Sequence, residues 1–206
     1  MKNPTSVLGA NIEFKKDLYD STGNDQYTYN MANTLVAVGS NLQKVYSAAG
    51  GSGYNITVNK DDNSLLTYAN DNFFMKDVIV NSGKISSDFK ANFSCYANTT
   101  TRIKIKQNQF KNVEFVGANC KFDLTDTILN LSGDLSFGSA GYVLKGFLSG
   151  GKINVEGNVY ADSGTAERES IYFLADYVTD LENFTEVRMI GSTDAYIDSN
   201  VYYNKN

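Results

Sequence analysis

The residues that could do covalent or metal chemistry are few in this chain of 206 residues. Histidine is missing, which excludes Ser-His-Asp and Cys-His nucleophilic arrangements and most catalytic metal sites. The two cysteines, Cys95 and Cys120, lack the spacing and the partner residues of a zinc site. Their separation of 25 residues would let them stack in adjacent turns of a repeating structure. We nevertheless expect free, buried thiols, because no signal peptide is visible and synthesis in a cytoplasm is predicted.

Carboxylates are the remaining candidates for catalysis, since a glycoside hydrolase needs only two of them. Asp123 with Asp126, and Asp176 with Asp180, are the pairs that the sequence offers among 23 acidic residues. Acidic turns are usually only solvated, and the glycines between 133 and 157 lack the spacing of a phosphate-binding loop. The sequence therefore predicts a protein that is not an enzyme, with no catalytic residue and no cofactor.

Two groups of oxygen-bearing side chains resemble calcium ligands in type but not in spacing. They are Asp61-Asp62-Asn63 and Asp194 with Asp198. Neither matches the twelve-residue loop that ends in a bidentate glutamate. We interpret both as ordinary polar turns and expect no metal site.

The net charge of −5 argues against a nucleic-acid partner, because the basic residues are scattered. One cluster stands out, at Arg102, Lys104 and Lys106, whose alternate positions would place all three on one face of a strand. This row is either a small anion-contact site or a solvated strand face. No apolar run approaches membrane-spanning length, so membrane insertion is not expected.

Tyrosine is abundant in the C-terminal half, and an exposed tyrosine ring can stack on the apolar face of a sugar. Core or interface packing is the preferred role for most of these rings. The residues are Tyr142, Tyr160, Tyr172, Tyr177, Tyr196, Tyr202 and Tyr203.

The elements that would position these residues begin with a predicted helix between Thr28 and Ala49. Apolar residues there are spaced alternately three and four apart, which is typical of a helix seam. The helix either lies on its own domain's core or forms a short oligomeric neck between identical chains. The oligomerisation residues of such a neck are Met31, Leu35, Val38, Leu42 and Val45.

A glycine-rich turn at 50–53 follows, and beyond it the apolar pattern changes to every second residue. We therefore predict two parts: residues 1–50 as an arm with an amphipathic helix, and residues 51–206 as a β-rich domain. Phe74, Phe110 and Phe147 begin three similar segments, which indicates a β-solenoid or β-helix. An antiparallel sandwich is an equal alternative. Residues 166–182 fit either a helix or a strand, and 187–203 is predicted to close with a hairpin.

This order of polar arm, short heptad helix, glycine hinge and long Asn/Ser/Thr/Gly-rich run of strands resembles bacteriophage fibre, tail-spike and head-decoration proteins. The resemblance is one of style and includes no signature motif. It implies a virion component, a homotrimer, contacts with other virion proteins, and a β-region exposed to a host surface and its glycans. The alternatives are a bacterial surface or secreted carbohydrate-binding β-domain and a β-helix enzyme that degrades polysaccharide.

Overall fold

The structure, a computed structural model, places the described part of the chain in a parallel β-solenoid. The fold is mainly β, and no helix occurs among the described residues. Those residues are 11–20, 34–47, 54–69, 74–95, 98–117, 120–138, 148–161, 171–172, 185–192, 194 and 201–202.

Nineteen strands are present in these ranges, and every pairing between them is parallel. The strands are β1 Asn11–Phe14, β2 Leu18–Asp20, β3 Thr34–Gly39, β4 Gln43–Ser47, β5 Tyr54–Lys60, β6 Leu65–Tyr68, β7 Phe74–Ser82, β8 Lys84–Ser94, β9 Thr100–Lys104, β10 Asn108–Val116, β11 Lys121–Asp123, β12 Ile128–Leu131, β13 Leu135–Gly138, β14 Leu148–Ser149, β15 Lys152–Val155, β16 Val159–Ala161, β17 Ile171–Tyr172, β18 Glu186–Met189 and β19 Val201–Tyr202.

The chain winds so that successive turns add strands to three parallel sheets, which we call faces 1, 2 and 3. Face 1 contains β1, β3, β5, β7, β9, β11 and β14. Face 2 contains β2, β4, β6, the first halves of β8 and β10, then β12, β15 and β18. Face 3 contains the start of β7, the second halves of β8 and β10, then β13 and β16. β17 pairs with β19 in a separate two-stranded sheet.

The length of one turn is visible in a ladder of corner side chains between faces 2 and 3. The main-chain N–H of Asp134 donates to Asn112 Oδ1, 22 residues earlier. The N–H of Asn158 donates to Asp134 Oδ1, 24 residues earlier. Each of these side chains thus satisfies a main-chain donor of the next turn where the strand ladder is interrupted.

The interior is filled by columns of apolar side chains, because in-register parallel strands place like positions above one another. Phe93, Phe115 and Phe137 form the largest column on face 3, with ring centroids 5.5 and 5.9 Å apart. Phe110 and Phe122 meet this column edge-on from the neighbouring faces. Offset and edge-on aromatic contacts add to the stabilisation that burial alone provides.

The helix predicted between residues 28 and 49 is wrong where the chain is described, since residues 34–39 and 43–47 form β3 and β4. The three-four spacing came from two short strands separated by a turn, not from one helical face. Leu35 and Ala37 point into the solenoid from β3, and Val45 points into it from β4. The β-branched run around Val36 suits a strand packed on both sides.

The strands on either side of the predicted boundary belong to one sheet, because β3 pairs with β5 from Thr34↔Asn55 to Gly39↔Lys60. The hydrophobic core is continuous across it, from Leu35 to Val159. Residues 50–53 themselves lie outside the described part of the chain.

Of the two predicted β architectures, the solenoid is confirmed. The repeat proposed from Phe74, Phe110 and Phe147 is wrong in its period. It aligned Phe74 with Phe110, but Phe74 lies in register with Asn92 on face 3 whereas Phe110 lies in register with Leu131 on face 2. The closing hairpin is also wrong, since β18 pairs in parallel with β15, and β19 with β17.

Candidate contact surface

Face 3 is closed to contact over its central strands, because its outward positions are buried. Asn92, Glu114 and Ser136 alternate with the core residues of this face and follow one another in register. All three are nonetheless buried. Glu114 forms an ion pair with Lys90, with 2.7 Å between Lys90 Nζ and Glu114 Oε2, and this pairing offsets the burial of the Glu114 charge.

Face 2 is open to contact, and one outward column runs along it from β4 to β18. Its members are exposed or half-buried, and all of them are polar. The column consists of Lys44, Thr67, Ser86, Gln109, Asn130, Asn154 and Arg188. This surface offers amide and hydroxyl groups at a regular spacing, with a cation at each end.

Asparagine side chains hold the order of this column from turn to turn. The Oδ1 of Asn108 accepts a hydrogen bond from the N–H of Asn130, at 2.8 Å. Asn154 Nδ2 donates to Asn130 Oδ1, also at 2.8 Å. These hydrogen bonds fix the side chains of Asn108, Asn130 and Asn154 on this part of face 2.

An open hollow of about 390 Å³ lies at the corner between faces 1 and 2. Its lining is mostly polar and includes one carboxylate and one ammonium group. These groups can exchange hydrogen bonds with a hydroxyl-rich ligand. The lining residues are Asp62, Asn63, Val80, Asn81, Ser82, Gly83, Lys106 and Gln107.

The predicted basic row of Arg102, Lys104 and Lys106 does share one exposed face. Residues 102–106, at the end of β9 and just after it, alternate between exposed and buried positions. Acidic groups neighbour its first two members. Arg102 lies in register with Asp123, and Lys104 pairs with Asp126 at 3.5 Å. This local neutralisation weakens the case for an anion site, and Lys106 lines the hollow instead.

The carboxylates proposed for catalysis or metal binding have turn contacts where they are described. Asp123 Oδ1 accepts the N–H of Thr125 at 2.9 Å, and Asp126 has a positive φ of 63°. Asn63 likewise has a φ of 67°, in the turn where the N–H of Ser64 donates to the carbonyl of Asp61. The described residues contain no cluster of three or more His, Cys, Asp or Glu that could hold a metal ion.

The predicted oligomerisation residues are not brought together on one surface. Leu35 and Val45 are buried in the core, Val38 is half-buried and Leu42 is exposed in the turn between β3 and β4. Met31 lies outside the described residues, as do Asp176, Asp180, Asp198 and Tyr142, Tyr177, Tyr196 and Tyr203. Tyr160 is half-buried on β16, and Tyr172 and Tyr202 lie on β17 and β19.

The cysteines are joined, so the expectation of free thiols is wrong. Cys95 and Cys120 form a disulfide with Cα atoms 5.9 Å apart, linking successive corners between faces 3 and 1. Their stacking in adjacent turns was the part of the prediction that the structure confirms. Gly117 packs directly on the bridge: a Cβ added there would lie 2.5 Å from Cys95 Sγ and 2.6 Å from Cys120 Sγ.

A buried polar group that the sequence did not reveal links three turns at the corner of faces 1 and 2. Lys60 Nζ donates to Gln43 Oε1 and, at 2.7 Å, to the carbonyl of Asn41. Gln43 Nε2 in turn donates to the carbonyls of Phe14 and Lys16, at 3.0 and 3.2 Å. Burial lowers the pKa of the Lys60 ammonium below its ordinary value. Because Lys60 and Gln43 are themselves buried, these hydrogen bonds satisfy polar side chains that would otherwise lack partners.

The fold defines the class of this protein as a parallel β-solenoid. No protein-family model, curated protein or solved structure matches the chain. None of the described residues belongs to a helix with the length and apolar character needed to span a membrane.

Proposed function

We propose that this chain is a structural component of a bacteriophage virion, a fibre, tail or decoration protein that acts by assembly and surface contact and not by catalysis. The observation that carries the proposal is the combination of a filled interior and an open, ordered outer face. Core columns such as Phe93–Phe115–Phe137 occupy the inside, and the polar ladder of face 2 is presented outside.

A solenoid of this kind suits a structural role, because each turn is held to the next by in-register strand pairing and by stacked side chains. The disulfide adds a covalent link between turns. Disulfides persist on virion and cell surfaces, where no cytosolic thiol pool reduces them. Assembly on a particle followed by exposure to the medium is consistent with both features.

Contact with a host surface is the second part of the proposal. Face 2 and the hollow beside Lys106 and Asp62 present amide, hydroxyl and charged groups that match the hydroxyls of a surface glycan. The homotrimer that the resemblance implies stays a prediction, and no contact between three copies is needed for the glycan role.

The proposal is tested on particles purified from the culture that carries the gene. Quantitative mass spectrometry across a density gradient should find peptides of this chain in the particle fraction, in fixed ratio to the major capsid protein. Their confinement to the soluble fraction would exclude a virion role. Host contact is tested separately by glycan-array binding of the purified chain. The same array is probed with Gln109→Leu, a variant changed at an exposed residue of face 2.

A further inference from the structure

The two ends of face 2 are open strand edges in the described part of the chain. At one end β18 pairs with β15, and no strand beyond it is among the described pairings. At the other end β2 pairs with β4 and with no described strand before it. An open edge leaves main-chain donors and acceptors ready to pair with a further strand.

Apolar side chains are exposed at both of these edges. Tyr19 on β2 is 66% exposed, and Met189 and Ile190 at β18 are 37% and 53% exposed. Val155, which lies in register with Met189, is buried in the core. Val45, which lies in register with Leu18 next to Tyr19, is buried as well. Among the described residues, no strand forms a next turn over these core and surface positions.

The register of face 2 determines which residues would meet if β2 of one copy were placed beside β18 of another. Leu18 and Met189 occupy the same column, because it runs through Val45, Tyr68, Ser87, Phe110, Leu131 and Val155. Tyr19 then falls beside Ile190, and Asp17, which precedes β2, falls beside Arg188. These three pairs place Leu18 on an apolar side chain, an aromatic ring beside Ile190, and an acidic group beside a basic one.

The charged pair is available on both sides. Asp17 is exposed and its Oδ1 accepts the N–H of Lys44 at 2.8 Å, so it already stands at the start of the polar column. Arg188 is exposed, and its Nε donates to Glu186 at 2.6 Å. A guanidinium has five N–H donors, so the remaining ones can bind a second carboxylate.

We infer that a second copy of this chain binds end to end, with its β2 adding in parallel register beyond β18, Asp17 meeting Arg188, and Leu18 and Tyr19 covering Met189 and Ile190. The same contact repeats at each new end, so it generates a head-to-tail filament and not a closed dimer. Main-chain pairing at the junction provides affinity, and the side-chain columns set the register. The inference rests on the proposed structural role for its use in a fibre, but the association itself is measured without it.

The test uses charge reversal at the junction, measured by sedimentation velocity of the full chain from low to high micromolar concentration. The unaltered chain should show a sedimentation coefficient that rises with concentration. Asp17→Arg and Arg188→Asp should each weaken association about tenfold or more, because every junction then places like charges together. Lys111→Asp, an exposed charge reversal away from both ends, should associate as the unaltered chain does.

Mixing the two variants gives the decisive result. Each junction between different variants pairs opposite charges, so an equimolar mixture should recover the association that each variant alone has lost. A monomer at all concentrations, a trimer of fixed mass unaffected by the variants, or a mixture that does not recover would overturn the inference. Association by a chain that is missing from purified particles would overturn the virion proposal alone, and its presence in particles without association would overturn the filament alone.

Discussion

Replacing Phe115 with alanine tests the stacked interior most severely. Phe115 is fully buried, lies between Phe93 and Phe137, and meets Phe122 edge-on at 4.9 Å. Truncating a buried phenylalanine costs about 3 to 5 kcal/mol through lost transfer energy and the cavity left behind. Three ring contacts of about 0.5 to 1.5 kcal/mol each place the expected loss near the top of that range.

Urea unfolding followed by circular dichroism measures this loss. With a slope of about 2 kcal/mol/M, the expected change lowers the midpoint by about 2 M. Phe89→Ala is the matched control, since Phe89 is 40% exposed at a corner and its loss should cost about 1 kcal/mol or less. If Phe115→Ala does not fold, Phe115→Leu should still show a loss larger than that of Phe89→Ala. Equal losses for Phe115 and Phe89 would refute the stacked interior.

Three further predictions concern the buried polar groups and the disulfide. Gln43→Leu should lower the free energy of unfolding by on the order of 3 kcal/mol, because it removes the buried partner of the Lys60 ammonium and the donor to the carbonyls of Phe14 and Lys16. The exposed Gln109→Leu should change it by less than about 0.5 kcal/mol in the same urea titration. Burial raises the pKa of the Tyr68 hydroxyl well above its ordinary value of 10.0, so the folded state holds this proton more tightly than the unfolded state does. The stability that this protonation provides is complete below about pH 10 and is lost as the pH rises through the folded-state pKa. Unfolding at about pH 8 and about pH 11 should therefore show a steeper alkaline loss for the unaltered chain than for Tyr68→Phe, and parallel losses would contradict the burial of this hydroxyl. Reduction with dithiothreitol should lower the free energy of unfolding by about 3 kcal/mol, as expected for a bridge between residues 25 apart. The same treatment should not change the free energy of unfolding of the Cys95→Ser/Cys120→Ser double variant. An unchanged urea midpoint for the reduced wild-type chain would argue that the thiols are not joined.

The sequence predicted the β character and many strand positions, because alternation and turn residues are local signals. The every-second-residue pattern beyond the turn at 50–53 predicted strands, and β5 begins there at Tyr54. The alternation of Arg102 and Lys104 placed both on one exposed face. Apolar residues alternate through 152–160 as they would in a single strand, but the corner at 156–158 divides this stretch into β15 and β16. Gly157 and Asn158 are turn residues, but asparagine also lies within β12 and β15, so residue types alone did not locate the corner.

The errors have a common physical cause, which is that the stabilising contacts lie one turn away in the chain. A period of two is the same in parallel and antiparallel sheets, so alternation could not choose between solenoid and sandwich. Leu35 and Val45 look like a helix seam until β5 and β6 are placed beside them. Lys60 and Gln43 look like turn and surface residues until the corners are stacked.

The most direct test of the account is a methyl NOESY spectrum of the folded chain that reports which core residues touch. The solenoid predicts contacts from Val113 to Leu135 and from Leu135 to Val159, which are in register on face 3 in successive turns. Methyl contacts between Val78 and Ile103 should accompany them on face 1. A spectrum without these contacts, in which the same residues instead touch antiparallel neighbours, would contradict the solenoid and the assembly role proposed for it.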